Sequence, residues 1–251
     1  MLWCCWAKAG PAGPIIDPAK ITYLINGSAG QPYQYIVPVE EGSGIITDIL
    51  NAVFEGSSFE LDPQAIPVKR VKRFIYEGKL NYWVTYGFRS WTQAAPDDNQ
   101  YLAEVDLFHY RYALIGYRDQ AQTAALSPPV SWYGKRVVVI SGFQYSGVKK
   151  QLIAQGAEII GAQDQFHALE LLQRGRGDFY LGNPDRVSYL WAKLGEPWQR
   201  FESFPVGVTL PVTIMMDNAF SDNFKRFVNQ RLATLQQTGV IDNILARYSV
   251  Q

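Results

Sequence analysis

The sequence predicts an α/β protein built from two similar lobes, with the second lobe inserted into the first. A strand–helix–strand–helix–strand order occurs over about 21–86 and again over about 136–183. This alternation is typical of a largely parallel sheet flanked by helices. Two long β-rich segments, near 105–117 and 203–216, flank the second repeat. Two such segments indicate that the chain passes twice between the halves.

These two passages define the expected lobes. A chain of 251 residues is long enough for two lobes that each bury a core. The first lobe is expected to comprise 19–110 and 207–251, and the inserted second lobe 111–206. The hinge strands are expected near 109–113 and 203–207. Ligands on such sheets bind in the crevice beyond the carboxyl ends of the strands, so the site is expected between the lobes.

Turn residues and apolar spacing justify each element of the first lobe. The first strand, 21–25, stops at the turn cluster Asn26-Gly27-Ser28. The first helix has apolar residues at helical spacing, namely Ile46, Ile49, Leu50 and Val53. A second helix over 68–76 is closed by Gly78 at a C′-like position. Further β-rich segments are predicted over 59–67 and 80–86.

The second lobe and the C-terminal part follow the same logic. A buried strand ends in a Gly-Ser turn over 141–147, which a helix over 148–155 follows. The next strand, helix and strand are predicted over 158–160, 165–174 and 178–181. The last long helix is expected to begin after Ser221 as the N-cap, and a short final helix follows Gly239.

Composition excludes several classes of function. Lys plus Arg equals Asp plus Glu at 23 each, so the chain lacks the basic footprint of a nucleic-acid binder. No apolar run approaches the roughly 18 residues that span a bilayer. The two histidines, His109 and His167, lie in no metal or triad motif, and no nucleophile, zincin or Walker A pattern occurs. We therefore predict no catalytic residue, no metal and no cofactor.

The N-terminal residues 1–18 have two open interpretations. Ala7-Lys8-Ala9 has the small-x-small form of a signal-peptidase site after an apolar stretch, which suggests the remnant of an export signal. A basic beginning and a longer apolar stretch are missing, so an irregular N-terminal arm is the alternative. The cysteines, Cys4 and Cys5, both lie here, which leaves the rest of the chain free of cysteine.

Several motifs in order resemble the family 3 extracellular solute-binding proteins, the polar amino-acid type of ABC-transporter receptor. These motifs include Gln31-Pro32-Tyr33 after the first strand, Gly44 to Leu50 at the first helix, and Trp132 to Val139 at the entry to the second lobe. Leu172 to Asp178 resembles the family's Leu-x-x-Gly-Arg-x-Asp turn, and Leu235 to Tyr248 resembles its closing motif. The resemblance covers about 21–250 and implies the type II periplasmic-binding-protein fold.

The resemblance also implies a function. The expected protein is a monomeric, periplasmic, non-catalytic receptor that captures a small polar or anionic, amino-acid-like metabolite and delivers it to an ABC permease. Two alternatives stay open, because some relatives of this fold are cyclohexadienyl dehydratases and others are ligand-sensing receptor domains. A buried carboxylate with a raised pKa facing the cleft would favour the enzyme.

The sequence departs from the family pattern at two places that bear on the ligand. The family's carboxylate-gripping arginine follows Thr-x-x, whereas Arg89 comes early and without that spacing. The position of the amine-binding acid is occupied by Asn183, with Asp185 two residues further on. A neutral Asn holds an ammonium group weakly, so an ordinary α-amino acid is in doubt as the ligand.

The candidate ligand-binding residues lie at predicted strand ends. A guanidinium such as that of Arg89 suits bidentate recognition of an anion. The turn at 141–147 precedes a helix, and helix N-termini favour anions. Aromatic rings suit flat or cationic ligands. The predicted set is Tyr33, Trp83, Tyr86, Arg89, Ser141, Phe143, Tyr145 and Asn183.

Overall fold

The structure is a computed structural model. It describes the backbone of residues 17–36, 38, 42–90, 99–117, 132–143, 145–193, 195 and 200–248. The interpretations placed on residues 1–16, including the export-signal remnant, lie outside these described residues.

The first lobe is a parallel sheet with helices packed on it. Its strands are β1 (Lys20–Ile25), β2 (Glu60–Ala65) and β3 (Trp83–Phe88). Strand β1 lies between β2 and β3 and pairs in parallel with both. The helices between them are α1 (Ile45–Phe54) and α2 (Val68–Tyr76). The predicted helices are confirmed, and the third strand begins later than expected.

The second lobe repeats this arrangement. Its strands are β6 (Arg136–Ile140), β7 (Glu158–Ala162) and β8 (Phe179–Gly182), and β6 pairs in parallel with both of the others. Its helices are α3 (Val148–Ala154), α4 (Gln165–Gln173) and α5 (Pro184–Lys193). The sequence analysis did not predict α5, which borders the cavity described below.

Two long strands connect the halves. They are β5 (Phe108–Tyr117) and β9 (Phe201–Asp217), which pair antiparallel with each other. Strand β9 also pairs with β3 of the first lobe, and β5 pairs with β8 of the second. The short strand β4 (Gln100–Leu102), which the sequence analysis missed, pairs with β9.

The sheet therefore runs through the molecule in the order β2-β1-β3-β9-β5-β8-β6-β7. The chain returns to the first lobe after β9 and ends in α6 (Asp222–Gln237) and α7 (Val240–Tyr248). Ser221 caps α6, as predicted, because its side chain accepts a hydrogen bond from the Phe224 backbone N–H at 3.1 Å. The predicted two-lobed α/β fold is confirmed.

Apolar periodicity explains where the helices pack. Helix α1 buries the face that carries Ile46, Ile49, Leu50 and Val53, each of which has no exposed surface. These side chains lie one turn apart, so burying them stabilises both the helix and its packing. The main core continues from the first lobe into the second, and a smaller cluster lies around Trp83.

No helix in the described part of the chain combines the length and the apolar character needed to cross a membrane.

Candidate functional site

The pairing of the connecting strands is interrupted at one place. Arg111 of β5 lies opposite Thr209 of β9, but Ala113 lies opposite Pro205. One residue of β5 therefore faces three of β9, including Gly207 with a φ of 72°. An interruption of this kind bends a strand and weakens the ladder locally. The hydrogen bonding between the two connecting strands is therefore irregular at this point.

A cavity of about 590 Å³ lies beside this interruption. Both lobes and both connecting strands contribute to its wall, so it occupies the crevice expected from the fold. The first lobe contributes Pro32, Tyr33, Ile45, Leu245 and Tyr248; the connecting strands contribute Phe108, His109, Arg111, Tyr112, Ala113, Ser203 and Pro205; the second lobe contributes Asn183, Pro184, Asp185, Arg186 and Ser188.

Helix α5 begins at the wall of the cavity, and Asn183 caps it. The Asn183 side-chain oxygen accepts a hydrogen bond from the backbone N–H of Arg186 at 2.7 Å. Its amide nitrogen donates to the carbonyl oxygen of Arg111 at 3.1 Å. An Asn N-cap followed by proline at the first helical position is a favoured start for a helix. The first turn of α5 is thereby fixed to the connecting strand β5.

Arg186 brings a buried positive charge to the cavity. Its side chain is 1% exposed, and its guanidinium carbon lies 5.1 Å from the centre of the Tyr33 ring. Tyr110 shares a hydrogen bond with this side chain. Burial alone lowers the pKa of Arg186, but the surrounding Tyr86 and Tyr110 raise it, and the balance leaves the pKa above its ordinary value. The guanidinium therefore stays charged.

The rings around Arg186 form a continuous aromatic cluster between the lobes. Tyr33 stacks on Phe108 with the ring centres 5.3 Å apart, and its ring lies 6.1 Å from that of Tyr110. Tyr110 and Tyr112 meet edge to face at 4.9 Å. Burial raises the pKa of Tyr110 to about 12, so its hydroxyl is neutral near pH 7. The Tyr110 hydroxyl is therefore a neutral polar group beside the guanidinium of Arg186.

The structure places four of the predicted site residues at or near this cavity. Tyr33 and Asn183 line it. Tyr86 packs against Tyr33, with the ring centres 5.9 Å apart. Tyr145 packs against Tyr112 at 5.4 Å, and its hydroxyl accepts a hydrogen bond from the backbone N–H of Ile140 at 2.6 Å.

The other four predicted residues do not line the cavity. Trp83 is 1% exposed and belongs to the small cluster that includes Leu24, Val71, Ile75 and Met215. Arg89 donates to a carboxylate oxygen of Asp106 at 2.6 Å and to two backbone carbonyls. Ser141 is exposed, and Phe143 is partly buried at 6.3 Å from Tyr145.

Sequence reasoning missed Arg186 and Tyr110. It also missed Tyr189 of α5, whose hydroxyl accepts a hydrogen bond from the hydroxyl of Tyr35 in the first lobe. A signal for α5 was present, because Asn183-Pro184-Asp185 combines an N-cap residue, a first-turn proline and a first-turn acid. Helical spacing from that start would have placed Arg186 and Tyr189 on one face.

The fold is that of the type II periplasmic binding proteins. One similar solved structure is an ABC uptake transporter substrate-binding protein from Streptococcus pneumoniae with bound histidine, at 16% identity and a TM-score of 0.71, covering 92% of both chains. Another is the GluR0 ligand-binding core in complex with L-glutamate, at 14% identity and a TM-score of 0.70, covering 92% of this chain and 98% of the other.

A third similar structure is an ancestral amino acid-binding protein described as a precursor of cyclohexadienyl dehydratase. It is 13% identical, with a TM-score of 0.70, and the match covers 92% of this chain and 96% of the other. At such identities the likeness concerns the fold. No protein-family profile matches the chain, and no curated protein matches it by sequence.

Proposed function

We propose that this protein is a solute-binding protein that holds a small polar or anionic metabolite between its two lobes. The observation that carries the proposal is the cavity of about 590 Å³ whose wall comes from both lobes and from both connecting strands. Its volume falls within the range of about 300–1,000 Å³ typical of small-molecule sites. A ligand there contacts both halves at once.

Closure about the connecting strands would follow from such binding. The interrupted pairing between Arg111 and Ala113 of β5 supports bending at this point. A ligand that contacts both lobes binds the closed form more tightly than the open form, and so shifts the population toward closure. The lobe boundaries proposed from sequence, with 111–206 as the inserted lobe, would place the hinge near this interruption, and they stay a proposal.

Two predicted residues, Tyr33 and Asn183, belong to the proposed site because they line the cavity. Tyr86 and Tyr145 are proposed to support it through their ring contacts with Tyr33 and Tyr112. Arg186 is added as the buried cation. Binding roles for Trp83, Arg89, Ser141 and Phe143 stay predictions.

Delivery to an ABC permease, as a monomeric and exported protein, is the proposed physiological role. Similarity to substrate-binding proteins of ABC transporters supports it. Similarity to the GluR0 ligand-binding core supports a second candidate, a domain that binds the ligand and signals to a partner. Genes for a permease and an ATPase beside this one would favour transport, whereas a neighbouring kinase gene would favour sensing.

The dehydratase alternative has less support. It needs a buried carboxylate facing the cleft. Among the described residues that line the cavity, Asp185 carries the carboxylate. Its side chain is 64% exposed, and its Oδ2 lies 3.1 Å from Nη2 of Arg111. An exposed, ion-paired carboxylate is a poor general acid, so we propose binding rather than catalysis.

A thermal-shift screen tests the proposal. The panel contains amino acids, organic acids, polyamines and aromatic metabolites at about 1 mM, which is about 10 to 100 times a Kd of about 10–100 µM. We expect one chemical class to raise the melting temperature, because a ligand that binds only the folded state stabilises it. A scattering profile that is unchanged by the strongest hit would contradict closure.

A further inference from the structure

We propose that the cavity selects an organic acid that carries no ammonium group, with the acid group directed toward Arg186. The inference rests on the proposed function, since it names the chemical class of the solute that the cavity would hold. It departs from the zwitterionic amino acids that the sequence resemblance suggests.

The charges on the described wall of the cavity favour an anion. Two arginines, Arg111 and Arg186, line it together with the carboxylate of Asp185. Asp185 and Arg111 form an ion pair at 3.1 Å, and both side chains are more than half exposed. Their charges offset each other at the outer side of the wall. Arg186, at 1% exposure, contributes a positive charge and hence a positive potential at the inner side.

The backbone adds to this potential. Pro184, Asp185 and Arg186 form the first turn of α5, a helix of ten residues, and all three line the cavity. The N-terminal end of a helix carries a partial positive charge, and its N–H groups favour negatively charged partners. A buried guanidinium and a helix N-terminus at the same wall both favour an acidic group.

On the described part of this wall the carboxylate is that of Asp185, and Arg111 already pairs with it at 3.1 Å. The resemblance implies an amine-binding acid at position 183, but this residue is Asn183. Its side-chain oxygen accepts from the Arg186 backbone N–H, and its amide donates to the Arg111 carbonyl. Asn183 is therefore committed to holding the helix start, and it brings no negative charge.

The aromatic wall does not replace the missing acid. An ammonium group can bind the face of an aromatic ring. The ring of Tyr33, however, already contacts the guanidinium of Arg186 at 5.1 Å and stacks on Phe108. A second cation placed there would also lie close to the charge of Arg186, and like charges repel. The same geometry accepts a carboxylate and disfavours an amine.

Calorimetric titration of the whole protein with matched compounds tests the inference. Each series compares an acid, its 2-amino acid and the amine that the amino acid forms on loss of its α-carboxylate: glutarate, glutamate and 4-aminobutyrate, then 3-phenylpropionate, phenylalanine and phenethylamine. We expect an acid to bind at least about 10-fold more tightly than its amino-acid counterpart, the equivalent of losing one hydrogen-bonded charge contact. Phenethylamine, which carries no acid group, is expected not to bind, and 4-aminobutyrate is expected to bind more weakly than glutarate.

The tightest binder across these compounds and the wider screen decides between the outcomes. An acid without an amine supports the inference. An amino acid or amine that binds more tightly than the matched acid overturns it, while the proposed solute-binding function stands. Absence of binding by every compound in both experiments contradicts the proposed function itself.

Two variants localise the effect. Arg186→Gln is expected to weaken the binding of the preferred acid by about 10- to 100-fold, whereas Arg186→Lys keeps the positive charge and is expected to retain more of the affinity. Arg174→Gln is the matched control, because Arg174 is an exposed residue at the C-terminal cap of α4 that pairs with Glu170. Equal losses in the Arg186→Gln and Arg174→Gln proteins would overturn the assignment to Arg186.

Discussion

The segments that follow β3 and β8 invite comparison, because each leaves a buried strand and each carries an arginine. Arg89 follows β3, lies about one third exposed, and donates to Asp106 and to the carbonyls of Ala103 and Glu104. Arg186 follows β8, is buried, and lies against tyrosine rings at the cavity. The same type of side chain thus holds a loop in one lobe and lines the cavity in the other.

The difference lies in what surrounds each guanidinium. A carboxylate and two carbonyl oxygens accept the donors of Arg89, so that its contribution is to local structure. Tyr33, Tyr86 and Tyr110 lie around Arg186, which also lines the cavity. Recognition of an anion depends on such an environment more than on the presence of an arginine after a strand.

The largest expected effect comes from Arg186→Met, which keeps part of the aliphatic stem and removes the charge. A hydrogen bond to a charged group contributes about 1.5–3 kcal/mol, so binding of the preferred acid should weaken by about 10- to 150-fold. The shorter side chain also removes the hydrogen bond to Tyr110, so the melting temperature should fall.

Titration calorimetry and thermal denaturation of the Arg186→Met protein measure these two quantities separately. A protein that melts at a lower temperature but binds the acid as tightly as the wild type would break the comparison, because Arg186 would then be a structural residue like Arg89.

Asn183→Asp sharpens the comparison by adding the acid that the family resemblance leads one to expect. Asp caps helices about as well as Asn, so α5 should keep its first turn. The new carboxylate would neutralise Arg186 and attract an ammonium group, so the ratio of acid to amino-acid affinity should fall by about 10-fold, which corresponds to about 1.4 kcal/mol.

The matched compounds measure this ratio directly, with the wild-type protein as the reference. An unchanged ratio would mean that position 183 does not face the solute. Circular dichroism gives the control, since a loss of helix content would instead report damage to the cap.

Arg89→Met tests the other side of the comparison. The ion pair with Asp106 is about one third exposed, so it contributes little, but two carbonyls also lose a donor. We expect a loss of about 1–2 kcal/mol in the free energy of unfolding and a fall of about 2–8 °C in melting temperature, with ligand affinity unchanged.

The binding role that the sequence predicts for Arg89 would give the opposite result: lost affinity for an anionic ligand and unchanged melting of the empty protein. Titration and thermal denaturation of this one variant therefore decide between a binding and a structural role. A loss of affinity at constant stability would restore Arg89 to the site.

The fold was largely predictable because it depends on local patterns. The apolar face of α1 and the turn at Gly78 fix elements by spacing alone, and the order of elements indicates two crossings. The site was less predictable because it depends on distant contacts. Nothing local to Arg186 indicates that Tyr33, more than 150 positions earlier, lies 5.1 Å from its guanidinium.

The third strand illustrates the same limit on a smaller scale. Its β-rich sequence begins at Leu80, but the strand begins at Trp83 because Tyr82 adopts a φ of 54°. The backbone N–H of Tyr82 donates to the carboxylate of Asp217 at 2.6 Å, a contact across 135 positions of sequence. A tertiary hydrogen bond thus accompanies a backbone conformation that β propensity does not anticipate.

The smallest expected effect links the cavity to closure. Tyr189 lies three residues after Arg186 on α5, so both residues face the first lobe. The Tyr189 hydroxyl accepts a hydrogen bond from the hydroxyl of Tyr35. The Tyr189 ring lies 6.1 Å from the ring of Tyr248. The Tyr248 hydroxyl in turn donates to the Asp48 carboxylate at 2.7 Å. One helix therefore carries both the buried cation and a direct contact between the lobes.

Tyr189→Phe removes this hydroxyl and keeps the ring. The hydrogen bond forms when the lobes meet, so its loss should destabilise the closed form by about 0.5–1.5 kcal/mol and weaken ligand binding by about 2- to 13-fold. Tyr133→Phe is the matched control, since Tyr133 is 82% exposed. If the Tyr189→Phe protein binds the ligand as the control does, closure does not depend on α5. The difference between the two arginines would then concern the ligand alone.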